Sequence, residues 1–466
     1  MNDYILLTEA NYKDKYPPLG LMKISTYHKL NGDYVTYSRE LLRHNKNYFA
    51  KIYITTRFSF HWRKTKELIH FYQTNYDAEI LIGGIHASIN PDLYEKEFGI
   101  KPNIGSLRGN IMPIFEKIKE DKFLSLYIED INRYGIDVLP PDYSIFYNQE
   151  LPFNKILKGN YLLRATKGCK RNCSFCDVKK ICEGYIEKLP ILPLIKYIDQ
   201  NFGIKDNILF FDDNTLQSRK VDAIVFDLKE AGFTKRVEGS RKMRSCDFNQ
   251  GLDLRLLDNR IIDLLNTINI KPIRFAFDDI SMKDVFIDRI MSVIERGIKN
   301  ISVYVLYNYK DTPQDFYERL RISVRLNSEY KCRIMSFPMK YIPNDQTDRK
   351  YVGINWKRRM IRGVQCIING CHGIVPVDYE YFQKAFGKDT NEFLQIIQMP
   401  EKYIVNRNKR KQDIMQWKND LQNMEEKVRM EVLNLLSNQT IYSFPSINLT
   451  KESEIRFLNH YVNEKY

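Results

Sequence analysis

From residue 161 onward the chain alternates short apolar runs with longer amphipathic runs. The apolar runs have the length of buried strands and lie at Tyr161–Thr166, Asn207–Phe211, Gly251–Leu256, Ile273–Phe277, Ile301–Leu306 and Arg333–Phe337. Helix-like runs separate them at Ile191–Gln200, Ser218–Ala231, Asn259–Thr267, Lys283–Arg296 and Thr312–Leu326. Such alternation is typical of parallel strands joined by helical crossovers. The pattern therefore predicts an α/β region of six strands.

The first 120 residues show a second alternation of the same kind. Strand-like runs lie at Tyr4–Thr8, Tyr34–Tyr37, Lys51–Thr55 and Glu79–Gly83, with helix-like runs at Leu19–Leu30 and Thr65–Thr74. We predict an open, parallel, Rossmann-like α/β domain over residues 1–120. Such sheets bind ligands at the carboxyl ends of their strands, where Gly83-Gly84-Ile85-His86-Ala87-Ser88 follows the last strand. Residues 121–160, broken by Pro140-Pro141, are predicted to connect the two regions.

Three cysteines follow the strand-like run Tyr161–Thr166. Cys169, Cys173 and Cys176 lie within eight residues of each other. Three thiolates on one loop suit a [4Fe–4S] cluster with one iron that has no protein ligand, whereas electron-transfer clusters normally have four cysteine ligands. An iron with an open position can bind a reactant, so the loop indicates a site for chemistry.

Two other interpretations of these cysteines are weaker. A structural zinc site needs four protein ligands, and Cys182 is the nearest candidate, but no second cysteine pair and no histidine follow at finger-like spacing. A disulfide framework is typical of small secreted domains. This chain has eight cysteines in 466 residues and no signal peptide, which favours a reducing cytosol.

The segment Gly168-Cys169-Lys170-Arg171-Asn172-Cys173-Ser174-Phe175-Cys176 resembles the signature of the radical S-adenosylmethionine (SAM) enzymes. The resemblance implies a partial (β/α)6 barrel over residues 161–345 and an iron that chelates the amino and carboxylate groups of SAM. The reduced cluster then cleaves SAM to methionine and a 5′-deoxyadenosyl radical. Phe175 would lie beside the cofactor, and an external donor such as flavodoxin or ferredoxin would supply the electron.

The first domain resembles the cobalamin-binding domain that precedes many radical SAM barrels. The resemblance is carried by Tyr16-Pro17-Pro18-Leu19-Gly20-Leu21 and by the Gly-Gly-x-His-x-Ser loop at 83–88. The Asp-x-His-x-x-Gly signature of that family, whose histidine ligates cobalt, is absent. Bound cobalamin is therefore left open beside a structural or docking role. His86 is interpreted as a contact to a phosphate or nucleotide tail, or as a hydrogen-bond partner that fixes its loop.

Polar residues at the predicted carboxyl ends of the barrel strands are further candidates. The family resemblance implies that the segment after the second strand, with Asp212 and Asp213, contacts the amino group of SAM. It also implies that polar groups on later strands hold the carboxylate and ribose. Arg255 is the candidate for the carboxylate and Asp278 for the ribose hydroxyls. The alternatives are helix capping for each aspartate and a structural ion pair for Arg255.

Residues 346–466 are predicted to form a helical extension, with helices at Trp356–Asn369, Tyr379–Phe386, Asn391–Ile397 and Asp413–Leu436. Basic clusters at 357–362 and 402–411 are interpreted as phosphate contacts or as solvated faces. Cys366, Cys371 and His372 are too few for a second metal site. The first 160 residues contain no cysteine, which counts against the methylthiotransferases that resemble this layout.

Composition bounds the partners and the location. No apolar run approaches the ~20 residues of a membrane helix, so a soluble, cytoplasmic protein is expected. The formal net charge of +14 favours anionic partners and keeps nucleic acid open. The leading hypothesis is an enzyme that uses SAM radical chemistry, or methyl transfer through cobalamin, to functionalise an unreactive C–H bond of an unassigned substrate. The alternative is a basic nucleic-acid-binding protein with a structural iron–sulfur cluster.

Overall fold

The computed structural model describes residues 2–235, 243–438 and 452–461. The chain forms two compact units. The first comprises Met1–Arg274 and Pro343–Arg349, and the second comprises Phe275–Ile342 and Lys350–Tyr466. Among the described helices, none has the length and apolarity needed to cross a lipid bilayer.

The first unit begins with a four-stranded parallel sheet. Its strands are β1 (Tyr4–Thr8), β2 (Tyr34–Ser38), β3 (Lys51–Thr56) and β4 (Glu79–Gly84), in the order β2-β1-β3-β4. Leu6, Ile52 and Ile82 on three of these strands are fully or almost fully buried, because helices cover the sheet and apolar side chains fill the space between. The predicted open α/β domain is confirmed, and its strand bounds differ from the predicted ones by at most one residue.

A second parallel sheet of the first unit carries the strands that precede and follow the cysteines. It consists of β5 (Asn160–Leu163), β6 (Asn207–Phe210) and β7 (Ser245–Phe248), in the order β5-β6-β7. The predicted third strand, Gly251–Leu256, is wrong. Gly251 has a φ of +88°, and the Asp253 carboxylate accepts a hydrogen bond from the backbone N–H of Arg255. These features turn the chain into a short 3-10 helix at Leu254–Leu256.

Three further strands follow along the chain. They are β8 (Ile273–Ala276), β9 (Asn300–Tyr307) and β10 (Arg333–Lys340), in the order β10-β9-β8, with β9 and β10 parallel. Strands β5 to β10 thus form two three-stranded sheets. Within each sheet the strands pair in the order of the sequence, as predicted for a (β/α)6 series. The chain is an α/β protein with a Rossmann-like first sheet, six further strands with intervening helices, and a helical C-terminal region.

The helices of the first unit include the five predicted ones and six short helices that were not predicted. They are α1 (Leu19–Leu30), α2 (Trp62–Asn75), α3 (Ile85–Ile89), α4 (Pro91–Phe98), α5 (Phe115–Glu120), α6 (Ile128–Tyr134), α7 (Asn154–Gly159), α8 (Val178–Ile181), α9 (Leu192–Phe202), α10 (Val221–Glu230) and α11 (Asn259–Leu265). The predicted helices are α1, α2, α9, α10 and α11. The two short helices α6 and α7 lie in the segment predicted as a connector. Helix α8 begins two residues after Cys176, and its start marks the end of the cysteine loop.

The second unit is largely helical. Its helices are α12 (Lys283–Glu295), α13 (Pro313–Tyr330), α14 (Arg358–Gly370), α15 (Tyr379–Phe386), α16 (Thr390–Ile396), α17 (Glu401–Val405), α18 (Lys411–Gln422), α19 (Glu426–Asn438) and α20 (Glu452–Asn459). The long helix predicted over Asp413–Leu436 is two helices. Helix α18 ends at Gln422 with Asn423 as its C-cap, and α19 begins at Glu426.

Candidate functional site

The cysteine loop follows β5 at the carboxyl end of the second sheet. Its entrance is fixed by an antiparallel bridge in which Lys167 and Ile186 exchange backbone hydrogen bonds of 3.3 and 2.9 Å. Gly168 has a φ of +88°, and a Cβ there would lie 2.3 Å from the carbonyl oxygen of Gly184. Only glycine fits this close approach, so the glycine of the motif serves the closure of the loop.

The three predicted ligands share one environment. Cys169 and Cys173 are partly buried and Cys176 is exposed, and none forms a disulfide. Burial raises the pKa of the Cys176 thiol, and the neighbouring Cys173 and Cys169 raise it further. The three sulfurs are therefore close enough to interact electrostatically. Within residues 2–235, 243–438 and 452–461, no three His, Cys, Asp or Glu side chains are arranged around a single ion.

Cys182, the fourth ligand of the zinc interpretation, lies in a different environment. Its Sγ is 3.8 Å from Oδ2 of Asp213, and its side chain is buried. Burial, with the charge of Asp213, raises the pKa of Cys182 to about 11. This surrounding favours the protonated form of the Cys182 thiol, whereas metals bind the thiolate.

The two predicted carboxylates after β6 hold the beginning of the cysteine loop. Asp212 accepts hydrogen bonds from the backbone N–H of Ala165 at 3.0 Å and from Oγ1 of Thr166 at 2.6 Å. Its burial raises its pKa to about 6. Asp213 accepts from Nη1 of Arg164 at 3.1 Å and from the backbone N–H of Gly168 at 2.9 Å. Both carboxylates thus contact the chain itself and tie β6 to the loop.

Asp253 and three side chains around it form a second set of contacts with the loop, which we call the Asp253 network: Arg171, Asn214, Asp253 and Arg255. The Asp253 side chain is 5% exposed and accepts from Nε of Arg171 and, at 3.2 Å, from Nδ2 of Asn214. Nδ2 of Asn214 also lies 3.6 Å from Sγ of Cys169. The Oδ1 atom of Asn214 is buried and has no hydrogen-bond partner. Arg171 was not predicted, although it lies within the cysteine motif, whereas Asn214 follows the aspartate pair in the segment predicted to contact the amino group of SAM.

Arg255, predicted to bind the carboxylate of SAM, pairs with Asp253. Its Nε donates to Oδ1 at 2.7 Å and its Nη2 to Oδ2 at 3.1 Å. Burial lowers its pKa, but hydrogen bonding to Asp253 and the nearby Cys173 raise it above the ordinary value. The ion pair named as the alternative is therefore present, and the guanidinium also lies beside the cysteine loop.

The other two predicted residues have fewer described contacts. Phe175 is half-buried within the cysteine loop of the first unit. Asp278 belongs to the second unit, where its Oδ1 accepts a hydrogen bond of 3.1 Å from the backbone N–H of Leu306 on β9. Asp278 therefore links the end of β8 to the end of β9.

A loop of the first sheet reaches the carboxyl edge of β6 and β7. The hydroxyl of Tyr16 donates to Oδ1 of Asn249 at 3.1 Å, and its ring packs edge-on against Phe211 with 6.1 Å between centroids. Arg57, which follows β3, holds this loop by donating to the carbonyl of Tyr16 at 2.7 Å. The Tyr16-Pro17-Pro18 segment is thus part of the surroundings of β6 and β7.

The Gly-Gly-x-His-x-Ser loop is held by contacts within the chain. A Cβ on Gly84 would lie 2.3 Å from the carbonyl oxygen of Thr56, so the glycine is required by packing between β3 and β4. Nδ1 of His86 lies 2.7 Å from the hydroxyl of Tyr94, and the residue is 2% exposed. Oγ of Ser88 accepts from the backbone N–H of Gly105 at 3.0 Å. The interpretation of His86 as a residue that fixes the loop agrees with these contacts.

His86 makes stability depend on pH. Burial lowers its pKa from 6.5 to about 4, so between these values the unfolded chain binds a proton that the folded chain does not. Its contribution is complete above pH 6.5 and is lost as the pH falls towards 4. We expect unfolding to become easier by about 2 kcal/mol between pH 7.5 and pH 5 through this group. Urea denaturation at both values, compared between wild type and His86→Gln, measures the difference.

The control for this prediction is His70→Gln, because the His70 side chain is 46% exposed. This variant should keep the pH dependence of the wild type. An equal pH dependence in His86→Gln and wild type would contradict the prediction.

The basic clusters of the C-terminal region contact their own unit. Arg362 donates to both oxygens of Glu401 at 3.0 and 2.8 Å. The Arg359 guanidinium lies 4.6 Å from the ring centroid of Tyr461, and Arg407 donates to two backbone carbonyls at 2.6 Å. These arginines hold helices of the second unit together, so they give no specific support to a role in binding phosphates.

No family model matches the sequence, and no curated protein matches it. The solved structures that it resembles include two of TsrM, a radical S-adenosylmethionine methyltransferase from Kitasatospora setae. One contains cobalamin and a [4Fe-4S] cluster, and the other contains a tryptophan substrate and the SAM analog aza-SAM. Both are 15% identical with a TM-score of 0.49, covering 73% of this chain and 75% and 73% of theirs. The candidate site therefore rests on the residues of this chain and the contacts described above.

Proposed function

We propose that the chain is a radical SAM enzyme whose [4Fe–4S] cluster is held by Cys169, Cys173 and Cys176. One observation carries the proposal: three cysteines, none of them in a disulfide, lie on a single loop at the carboxyl end of β5. The next cysteine along the chain, Cys182, is buried after α8, with its Sγ 3.8 Å from Oδ2 of Asp213. Three thiolate ligands leave one iron of a cuboidal cluster open.

The surroundings of the loop fit an anionic iron–sulfur cluster. Nδ2 of Asn214 lies 3.6 Å from Sγ of the proposed ligand Cys169. Hydrogen-bond donors beside the ligand sulfurs are common at iron–sulfur centres. Two guanidinium groups, those of Arg171 and Arg255, lie at the loop and supply compensating charge. When bound, the cluster would supply an open iron for the amino and carboxylate groups of SAM and the electron that cleaves its sulfonium.

The residues after β6 would orient SAM and the loop. Asp212 and Asp213 hold the loop against the strand ends, through backbone groups of Ala165, Thr166 and Gly168. The buried Oδ1 of Asn214 is an acceptor without a partner and suits the ammonium group of SAM, since unsatisfied buried acceptors are costly. We include Phe175, which lies on the same loop, beside the cofactor.

The reaction we propose is functionalisation of an unreactive C–H bond. An external one-electron donor, such as flavodoxin or ferredoxin, reduces the centre, and hydrogen abstraction follows from SAM cleavage. If the first domain binds cobalamin, methyl transfer is the corresponding reaction. The substrate is unassigned because its recognition depends on side chains that no motif identifies.

The proposal is tested with the full chain reconstituted anaerobically with iron and sulfide. We expect about four iron atoms per chain, a change in the electron paramagnetic resonance (EPR) signal of the reduced protein on adding SAM, and release of 5′-deoxyadenosine with dithionite. A parallel sample without reductant is the control. Added cobalamin, followed by its absorption spectrum after desalting, tests whether the chain binds it. Bound cobalamin together with a methylated product supports methyl transfer, whereas 5′-deoxyadenosine alone supports hydrogen abstraction. A loaded protein that neither changes its signal with SAM nor consumes SAM would contradict the proposal.

A further inference from the structure

We propose that the Asp253 network sets the reduction potential of the cluster, with Asp253 as a positioning residue. The inference rests on the proposed function, because it requires a cluster on the cysteine loop. It assigns to Asp253 a role that neither the cysteine motif nor the strand pattern indicates.

The geometry joins one carboxylate to two ligand cysteines. Asp253 holds Asn214, whose Nδ2 lies 3.6 Å from Sγ of Cys169. It also holds Arg255, whose guanidinium interacts electrostatically with the second proposed ligand, Cys173. A third donor, Nε of Arg171, comes from the loop between these two cysteines. One buried carboxylate therefore fixes a hydrogen-bond donor and a positive charge beside different sulfurs of the site.

The physical effect follows from charge. Reduction adds one electron to the cluster from a low-potential flavin or iron–sulfur donor, with no bond made or broken. Donors and cations near the sulfurs stabilise the reduced form and raise the potential, whereas a nearby carboxylate lowers it. Because the Asp253 side chain is only 5% exposed, solvent screens its negative charge less than that of a surface carboxylate. It offsets the charges of Arg171 and Arg255 while it holds them in place.

Asp253 also has a local structural role, and the experiment has to distinguish this role from the effect of its charge on the reduction potential. Its Oδ1 accepts from the backbone N–H of Arg255 at 3.2 Å and so begins the 3-10 helix after β7. Asparagine keeps the size of the side chain and an oxygen for this cap, but it removes the negative charge. Asp253→Asn is therefore the substitution that changes charge with the least change in shape.

The experiment is an anaerobic redox titration of the reconstituted full chain without SAM, followed by EPR. We expect the midpoint potential to move to more positive values in Asp253→Asn, because two guanidinium groups lose their counter-charge. Asn214→Leu, which removes the donor at Cys169, should move it to more negative values. Arg255→Gln, which removes a positive charge at Cys173, should also move it to more negative values.

The control is Asp247→Asn on β7. Asp247 forms a bidentate pair with Arg274 at 2.6 and 2.7 Å and has no described contact with Cys169, Cys173 or Cys176, so its variant should keep the wild-type potential. Unchanged potentials in fully loaded Asn214→Leu and Arg255→Gln would overturn the inference, even if Asp253→Asn does not fold. A wild-type chain that takes up no cluster would overturn the proposed function as well, and iron content separates the two failures.

Discussion

Replacing Cys169, Cys173 and Cys176 together with alanine should lower the iron content of the reconstituted protein from about four atoms per chain to near zero. The three sulfurs are the proposed ligands on one loop, and with all three removed no thiolate is left there to hold iron. Formation of 5′-deoxyadenosine from SAM should then fall to the level of the reagents alone. Colorimetric iron and sulfide analysis and chromatography of the nucleoside products measure the two effects.

The matched control is Cys371→Ala, which removes a partly buried cysteine that follows α14 in the second unit. This variant should keep the iron content and the SAM cleavage of the wild type. Circular dichroism should show the same helix content in the triple variant, because the three cysteines are at most partly buried and none lies within a helix. Retention of a full cluster by the triple variant would rule out the proposed ligands.

The fold was predictable where hydrophobic pattern and length agreed. Helix α1 lies at the predicted Leu19–Leu30, and β1 and β4 lie within one residue of their predicted bounds. The third strand of the six-strand series was not predictable in the same way. Gly251–Leu256 alternates apolar and polar residues as a strand does, but Asp253 caps a turn there. The strand itself, Ser245–Phe248, is short, and its alternate residues Cys246 and Phe248 are the buried ones.

The candidate site was predictable in its position and less so in its contacts. The order of residues along the loop places three cysteines after β5, and an aspartate pair after β6. The Asp253 network depends on tertiary structure, because Arg171 and Asp253 are 82 residues apart in the sequence. The sequence likewise does not show that both oxygens of Asp212 accept hydrogen bonds from Ala165 and Thr166. Only the structure identifies the Oδ1 of Asn214 as a buried acceptor without a partner.

Replacing Arg319 with alanine should destabilise the second unit by about 3–5 kcal/mol, the usual cost of breaking a buried ion pair. Arg319 lies on α13 and its side chain is fully buried. Its Nη1 donates to the carbonyls of Phe277 and Leu306 at 2.9 and 2.8 Å, and its Nη2 to Asp311 at 2.8 Å. Removal leaves Asp311 as an uncompensated buried charge. Urea denaturation followed by tryptophan fluorescence measures the loss.

The control variant is Arg321→Ala, two residues further along α13. Comparing it with Arg319→Ala shows how much burial of the ion pair contributes to the loss of stability. Arg321 pairs with Glu318 at 2.8 Å, but its side chain is 36% exposed, and such surface pairs contribute less than about 1 kcal/mol. Trp356 reports on the site directly, since its Nε1 donates to Asp311 at 3.1 Å. Equal denaturation midpoints for the two variants would show that Arg319 does not hold the ends of β8 and β9.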